Sequence, residues 1–410
     1  MRIALLFLAA LAACTPALGQ VLTLDEARAR ALEAQPALRA LESNCRAGQL
    51  AALADGALPD PRLKLGALNF PTRGFPGARD DMTQLGVSWE QTIPGGAKRR
   101  LRSERSHIDA NLSLAEAHSL MQTILRDVGL AWSDLWLATS SQRLYAELAG
   151  EHARAIEAAA SALGSGRGSQ ADLLAARQAL NQVSDRRLEL AAQAERARAA
   201  IARWVPEAAS RPLPEALPEF GIPKPLDTLR TALGSHPQHE MHALQQVLAD
   251  ADVALAREAS TPDRTVEVGY FARNGGRSDM LMFQIAFELP LFAARKQDRT
   301  LGAKLKLAER AREQRADHLR QLRADLEAAH AEWRIAGERL KNVSAAILPV
   351  ATTRLEALVA QYGAGAAPLA GVLEARRGLI EVRMQELALR AVQARARIAL
   401  QYFEDYGAHR

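Results

Sequence analysis

The sequence predicts a mainly α-helical protein with a small β part suited to a membrane, built as two copies of one unit: a helix, two strands and a long helical hairpin. Three observations predict this. Landmark motifs recur in the same order in both halves of the 410-residue chain, long proline-free stretches rich in helix formers dominate each half, and short segments alternate large apolar with small or polar residues.

The duplication rests on three pairs of motifs. Leu24-Asp25-Glu26-Ala27, followed by Leu32-Glu33-Ala34-Gln35-Pro36, has the outline of Leu226-Asp227-Thr228-Leu229, followed by Leu233-Gly234-Ser235-His236-Pro237. Trp89-Glu90-Gln91-Thr92-Ile93-Pro94 answers to Phe287-Glu288-Leu289-Pro290, and both lead into small and basic residues. Gly164-Ser165-Gly166 before Leu173-Leu174-Ala175-Ala176-Arg177 answers to Gly363-Ala364-Gly365 before Val372-Leu373-Glu374-Ala375-Arg376. Pro36 and Pro237 are 201 positions apart, Pro94 and Pro290 196, and Gly164 and Gly363 199, differences that loop-sized insertions absorb. Residues 22–205 and 226–406 are thus two repeats, joined by a proline-rich linker at 206–225.

The chain opens on an export signal. Met1 and Arg2 supply a minimal positive start, and Ile3 to Ala13 is an apolar run too short to span a bilayer. Ala17-Leu18-Gly19 places small residues where a signal peptidase inspects the chain, giving a signal peptide of 1–19 and Gln20 as the mature start. Leu11-Ala12-Ala13-Cys14 also reads as a lipobox, giving a signal of 1–13 and a lipidated Cys14. Both readings take the protein out of the cytoplasm. Neither leaves Cys45 a disulfide partner.

Within each repeat the elements follow in order. A helix opens it, at about 24–55 and 225–259. Two alternating segments come next: a weaker one at 62–70, whose alternation slips near Ala67, then Leu85-Gly86-Val87-Ser88-Trp89-Glu90. Their counterparts are Val266-Glu267-Val268-Gly269-Tyr270 and Phe283-Gln284-Ile285-Ala286-Phe287-Glu288-Leu289. A long helical stretch follows, without proline from Pro94 to Pro206 and from Pro290 to Pro349, and rich in Ala, Leu, Glu, Arg and Gln. At ~1.5 Å per residue the part from Ala97 to Leu163 would be roughly 100 Å long, which implies coiled-coil packing. A glycine-marked reversal and a second helix complete the unit.

The alternating segments carry the membrane argument. Period-two alternation with one polar face fits a barrel strand with lipid on one side and water on the other. No later segment has ~20 uninterrupted apolar residues, so a transmembrane helix is not expected. Four strands cannot close a barrel, and an open sheet edge is not tolerated in lipid, so the chain must oligomerise.

Charge and motifs narrow the function. Fifty-two Lys and Arg stand against 47 Asp and Glu, interspersed along helical stretches, which reads as solvated helix faces and carries no nucleic-acid signature. One basic cluster is local: Lys98, Arg99, Arg100, Arg102 and Arg105, echoed by Arg295, Lys296, Arg299 and Lys304. If the second strand of the repeat descends, this cluster lies below the strands beside inner-leaflet phosphates, a candidate electrostatic anchor as well as an ordinary solvated helix start. There is no phosphate loop, nucleophile elbow or metalloprotease helix, so neither an enzyme nor a cofactor is expected. His236, His239 and His242, with Met241, form the one metal candidate; steps of three drift around a helix, so exposed polar residues are the expectation and metal binding a weak alternative.

With these motifs the chain resembles the TolC family of outer-membrane efflux proteins, from 22 to about 406. The carrying marks are the Leu-Asp-Glu-Ala and Gln-Pro opening, the two strand-Pro-basic junctions and the two Gly-x-Gly reversals. The resemblance implies a homotrimer with a twelve-strand β-barrel in the outer-membrane lipid. It also implies a twelve-helix periplasmic coiled-coil tunnel, fed by a periplasmic adaptor (membrane fusion) protein and an inner-membrane pump. Asp60-Pro61, Phe70-Pro71-Thr72 and Met82, with Gly86-Val87-Ser88 and Pro94-Gly95-Gly96-Ala97-Lys98-Arg99, look like the heavy-metal subgroup, which works with resistance-nodulation-division pumps of the cobalt–zinc–cadmium or copper–silver type.

By the same resemblance the two reversals form the periplasmic mouth and dock the adaptor, through Gly164, Ser165, Gly166 and Gly168 in one repeat and Gly363, Ala364, Gly365 and Ala366, with Ala367, in the other. Acids that follow the tip ring the closed mouth in this family. Asp172 keeps one in the first repeat; in the second the matching position is Gly371, and Glu374 is the next acid. Arg177 and Arg376 would then pair with these acids to hold the constriction shut, or form plain helix-surface charge pairs. A multidrug duct or a type I protein-secretion duct would share the fold and differ in partner. A periplasmic coiled-coil scaffold would explain the helices but neither the strands nor the duplication.

Overall fold

The computed structural model describes residues 21–72, 82–166, 168–273 and 276–404; the expected export signal and Cys14 lie outside the described residues. In chain order the elements are α1 (Leu24–Ala34), α2 (Pro36–Gly56), β1 (Arg62–Leu68), β2 (Gln84–Ile93), α3 (Lys98–Gly164), α4 (Gln170–Ala202), α5 (Leu226–Ala232), α6 (Pro237–Glu258), β3 (Arg264–Arg273), β4 (Met280–Phe287), α7 (Gln297–Asn342), α8 (Leu348–Gly363) and α9 (Leu369–Gln401). The order repeats as the sequence predicts, with two departures.

Proline causes both. The opening helix of each repeat is broken, at Gln35 (φ −77°, ψ 110°) before Pro36 and, after a 3-10 turn at Leu233–Ser235, at His236 (φ −65°, ψ 134°) before Pro237. A proline ring clashes with helical backbone in the residue before it, and proline itself is well placed at the first helical position. The second departure is a π-turn, Val343–Ile347, between α7 and α8 just ahead of Pro349, where the lost backbone donor is absorbed. Among the described residues one helical run, Gln297–Gly363, is long and apolar enough by length and composition alone to cross a membrane, which the search for ~20 uninterrupted apolar residues did not anticipate.

The chain divides into two units. One comprises Pro36–Met121 and Thr231–Ala324, and holds the whole sheet. Its four strands lie in sequence order, all antiparallel, and the β2–β3 ladder joins the two repeats through ten paired positions, from Gln84 opposite Arg273 to Ile93 opposite Arg264. Register fixes two unlike faces. Leu63, Trp89, Val268 and Phe283 form one cross-sheet row and Leu65, Val87, Tyr270 and Leu281 the next, every one of them exposed. The opposite face carries Lys64, Ser88, Glu90, Glu267 and Gln284. Soluble sheets bury their apolar face; here the apolar face is the exposed one, with Phe283 at 74% and Leu65 at 78%.

On the polar face Phe271 is buried because its ring lies over two glycines, Gly86 and Gly269. A Cβ at position 86 would stand 2.0 Å from the ring edge, so only glycine leaves room. At the foot of the strands Asp263 accepts from Gly95 N (2.8 Å) and Lys98 Nζ (2.7 Å), which ties the start of α3 to β3. Asp252 on α6 bonds Arg105 of α3 (2.5 Å) and Lys304 of α7 (2.7 Å). Burial alone would push its carboxyl up, but the two cations hold it below the ordinary carboxylate range.

The other unit comprises the described residues of Met1–Gln35, Gln122–Arg230 and Asp325–Arg410. Here the linker is fastened to the helices rather than loose. Arg211 grips Glu26 with both terminal nitrogens (2.6 and 3.0 Å), Trp136 Nε1 donates to Glu215 O (3.2 Å), and the fully buried Trp132 donates to Leu22 O (2.9 Å). Arg397, buried against Glu404, donates to Gly221 O (2.6 Å). Tyr402 is packed beneath Arg126, and burial pushes its phenol up to about 12.

Gly86→Val should drive Phe271 off its seat and cost about 1–3 kcal/mol of sheet stability, as overpacking typically does. Thermal unfolding of the detergent-solubilised protein should show a lowered midpoint, while Gly66→Val on the same face, where a Cβ meets nothing within 4 Å, should change it little.

Candidate functional site

Both reversals lie in the second unit, and two of their backbone bonds match at the same 199-residue offset. Ser165 N donates to Ser161 O (3.1 Å) and Gly166 N to Leu163 O (3.0 Å); Ala364 N donates to Ala360 O (3.1 Å) and Gly365 N to Tyr362 O (3.0 Å). Gly166 and Gly365 sit at φ +72° and +75°, the left-handed conformation that closes a helix end, so glycine is required at these two positions. Gly164 and Gly363 are the last residues of α3 and α8. Gly168 N and Ala366 N close the turns onto Ala162 O (3.0 Å) and Gln361 O (2.8 Å). Behind the tips one apolar cluster gathers all four helices: Ala159 of α3, Ala176 of α4, and Leu369 and Val372 of α9, with Leu355 and Leu358 of α8 against them. Ser165, Ala364 and the tip glycines are therefore brought to one end of the same helical packing, within one unit.

The two tips differ at the next step. Ser169 caps α4, and Asp172 returns the bond: Asp172 N donates to Ser169 Oγ (3.1 Å), while its carboxylate accepts from Ser169 N (3.2 Å) and Oγ (2.7 Å). This reciprocal cap satisfies two donors that a helix start leaves unmet. In the second repeat the positions 199 residues on are Pro368 and Gly371, and α9 has no side-chain cap. At Gly371 the second repeat thus lacks the acid, and at Pro368 the serine, that together cap α4 in the first. Asp172 is committed locally, and Glu374 is exposed.

The expected pairing of arginines with these acids does not form. Arg376 reaches α3 instead, with Nε 3.2 Å from Glu151 Oε2 and one terminal nitrogen 3.3 Å from Glu151 O. Arg177 is exposed, and among the described residues it has no ion pair. Beside the Arg376–Glu151 contact stands His152, 3% exposed, its Nδ1 without a hydrogen-bond partner. Burial, and then the Arg376 charge, push its ring below the ordinary imidazole range, against a smaller opposing pull from Glu151. Sequence reasoning missed Glu151 and His152. The available signal was position: His152 continues the apolar steps of Leu144 and Leu148, four residues at a time.

The other candidates resolve into separate tasks. His236 is fully buried and caps α6, its Nδ1 accepting from Gln238 N (3.2 Å). His239 is buried with Nε2 3.4 Å from Arg315 Nε, and His242 lies against His318 with ring centroids 4.3 Å apart. So the expected exposure is wrong for His236 and His239, because Pro237 starts the helix at a point where its first turn is packed inward. The three do not converge, and among the described residues no group of three or more His, Cys, Asp or Glu is arranged to hold a metal ion. In the basic cluster Lys98, Arg100, Arg105 and Lys304 are taken up by Asp263, Glu104 and Asp252. Arg295, Lys296 and Arg299 stay exposed beside exposed Leu291 and Phe292.

Two outcomes follow from this geometry. Ser169→Ala should weaken the start of α4 by about 1 kcal/mol, read as faster proteolysis at the first tip. Burial lowers the proton affinity of His152 in the folded protein, so around and below about 6.5 the unfolded chain binds more protons at this position. Stability should be full above that pH and fall as the pH drops through it. His152→Leu should lose less thermal stability than the parent between about pH 7.5 and 5.5; equal losses would dismiss His152 as the source.

Comparison with known proteins finds a family match and likenesses among solved structures. The family model "Outer membrane efflux protein" matches residues 228–402. No curated protein matches the chain. Among solved structures, VceC from Vibrio cholerae aligns at a TM-score of 0.78 with 18% identity, covering 93% of this chain and 95% of that one. CusC aligns at 0.79 with 16% identity, covering 94% and 93%. CmeC from Campylobacter jejuni aligns at 0.78 with 14% identity, covering 94% and 86%. At such identities the likeness shows the fold. By its description that family is one of outer-membrane proteins, and the match over the second repeat puts this chain at the outer membrane. The chain carries an outer membrane efflux protein domain over its second repeat and, over nearly all its length, the fold of outer-membrane channels.

Proposed function

We propose that the protein is the outer-membrane exit duct of a tripartite efflux system, a passive channel coupled to a periplasmic adaptor and an inner-membrane pump. The observation that carries this reading is the sheet: one face of exposed large apolar side chains, the other holding most of its charged residues but also Phe271, Met280 and Met282, and, among the described residues, an unpaired edge on β1 and on β4. Three copies joined edge to edge would give twelve strands and leave no edge in lipid. The polar face then lines the pore. The adaptor's helical hairpin would dock on Gly164, Ser165, Gly166 and Gly168 and on Gly363, Ala364, Gly365 and Ala366, whose small side chains permit close helix approach.

The pump is proposed to be of resistance-nodulation-division type and the cargo heavy-metal cations, on the strength of the subgroup motifs at Asp60-Pro61 and Pro94 to Arg99. Metal here is cargo, passed along rather than held. Multidrug efflux and type I protein secretion are the competing cargoes, and deletion of the gene separates them. If metal tolerance is unchanged while drug or polypeptide export fails, the metal reading falls. The purified chain should require detergent, cross-link as a trimer and conduct in a planar bilayer; a monomer soluble without detergent would return the reading to a periplasmic scaffold.

Three copies of Asp172 and Glu374 would place carboxylates around the mouth and favour cations. Since Asp172 is spent on its cap, Glu374→Gln should lower cation selectivity and block by multivalent cations more than Asp172→Asn does. Equal, unchanged values in both variants would remove these acids from the constriction.

A further inference from the structure

Glu90 and Glu267 face each other directly across the β2–β3 ladder, on the polar side of the sheet. Like charges at opposite positions of an antiparallel pair repel, so the arrangement needs a counter-charge. Lys64 supplies it from a third strand. Its register partner is Ser88, and Ser88 is followed across the ladder by Gly269; over these two small residues the lysine reaches diagonally to both acids. Its Nζ lies 2.8 Å from Glu267 Oε2 and also bonds Glu90. Ser88 Oγ donates to the other Glu267 oxygen (2.5 Å), and Arg62 approaches Glu90 at 3.5 Å. The acids are covered, at 14% and 12% side-chain exposure, while Lys64 is 46% exposed and lies over them. Two cations and two anions sum to zero in this belt.

We propose that Lys64 is a selectivity-determining residue of the channel: by capping the Glu90–Glu267 pair it keeps a belt of the strand wall electrically neutral, and its loss would turn that belt into a cation filter. The inference rests on the reading that the polar face lines the pore. Each copy without Lys64 would gain one net negative charge, and closure by three copies would concentrate three in one ring. Rings of carboxylates are a general route to cation selectivity, and a narrow lumen with low-dielectric walls amplifies their field.

The test is reversal potential in planar bilayers under a potassium chloride gradient, with the full-length protein. Lys64→Met should raise the cation-to-anion permeability ratio at least about twofold, Lys64→Arg should keep the parent value, and Glu90→Gln with Glu267→Gln should shift the ratio toward anions. The last variant leaves no acid unpaired, so it tests the same charges if Lys64→Met fails to assemble. Conducting channels in which Lys64→Met, or the double glutamine variant, keeps the parent reversal potential overturn the role of Lys64. Absence of any conductance from the parent protein overturns the channel reading instead.

Discussion

Every strand needs a neighbour on both sides when no water is at hand to take its place. The sheet meets that condition at two of its four strands and leaves β1 and β4 each with a row of backbone donors and acceptors along one edge. In a hydrocarbon medium each unmet group costs several kcal/mol. The same sheet turns twelve large apolar side chains outward, from Leu63 on β1 to Phe287 on β4, which water would penalise and lipid would not. The two facts demand opposite solvents until the edges are paired by further copies of the chain. Closure by self-association, as proposed for this chain, would satisfy both at once. Two of the long helices begin just after strands: α3 and α7 start where β2 and β4 end, with Asp263 fixing the first of these junctions.

Duplication supplies the strands in pairs, and it also allows the copies to part company. At the tips the left-handed glycines and the bonds made by Gly166 and Gly365 match, because both repeats must leave a helix end in the same sense. The side chains that follow are not held to the same standard. One copy keeps Ser169 with Asp172, the other has Pro368 with Gly371. Taken alone, Gly371 differs from Asp172 in charge. Beside Pro368 in place of the serine, it differs first in having no helix cap.

Much of this was legible in the sequence. Alternation marked all four strands, and a proline-free run bounded by the Gly164 reversal marked α3 nearly to the residue, since these signals report what the backbone itself can adopt. β1 stops at Leu68 rather than Phe70, because Asn69 turns out of the strand at φ 57°. The breaks at Pro36 and Pro237 were written plainly, yet apolar periodicity runs straight across them and hid them. Long-range partners were not legible at all. Nothing near Arg376 in sequence points to Glu151, 225 positions away, and nothing near Lys64 points to Glu267. Such pairs are decided by packing and register. The histidines failed for a related reason: whether His239 meets solvent depends on α7, which supplies Arg315.

The π-turn at Val343–Ile347 has a consequence for the phase of the helix that carries it. Upstream, the buried positions Leu326, Ala329, Ala336 and Val343 keep the three-and-four rhythm of a coiled-coil seam. Carried on unchanged, that rhythm would present positions 350, 354 and 357; the residues packed against the apolar cluster are Leu355, Leu358 and Tyr362. One extra residue has been wound into a single turn, and the seam resumes one place later. The first repeat takes the same slip differently, stepping by four through Leu144, Leu148, His152 and Ile156, a stutter spread over three turns of unbroken α-helix. Both helices therefore reach the tips in the same phase, one by a local defect and the other by a gradual unwinding. It is the gradual route that leaves a polar ring, His152, on the apolar seam.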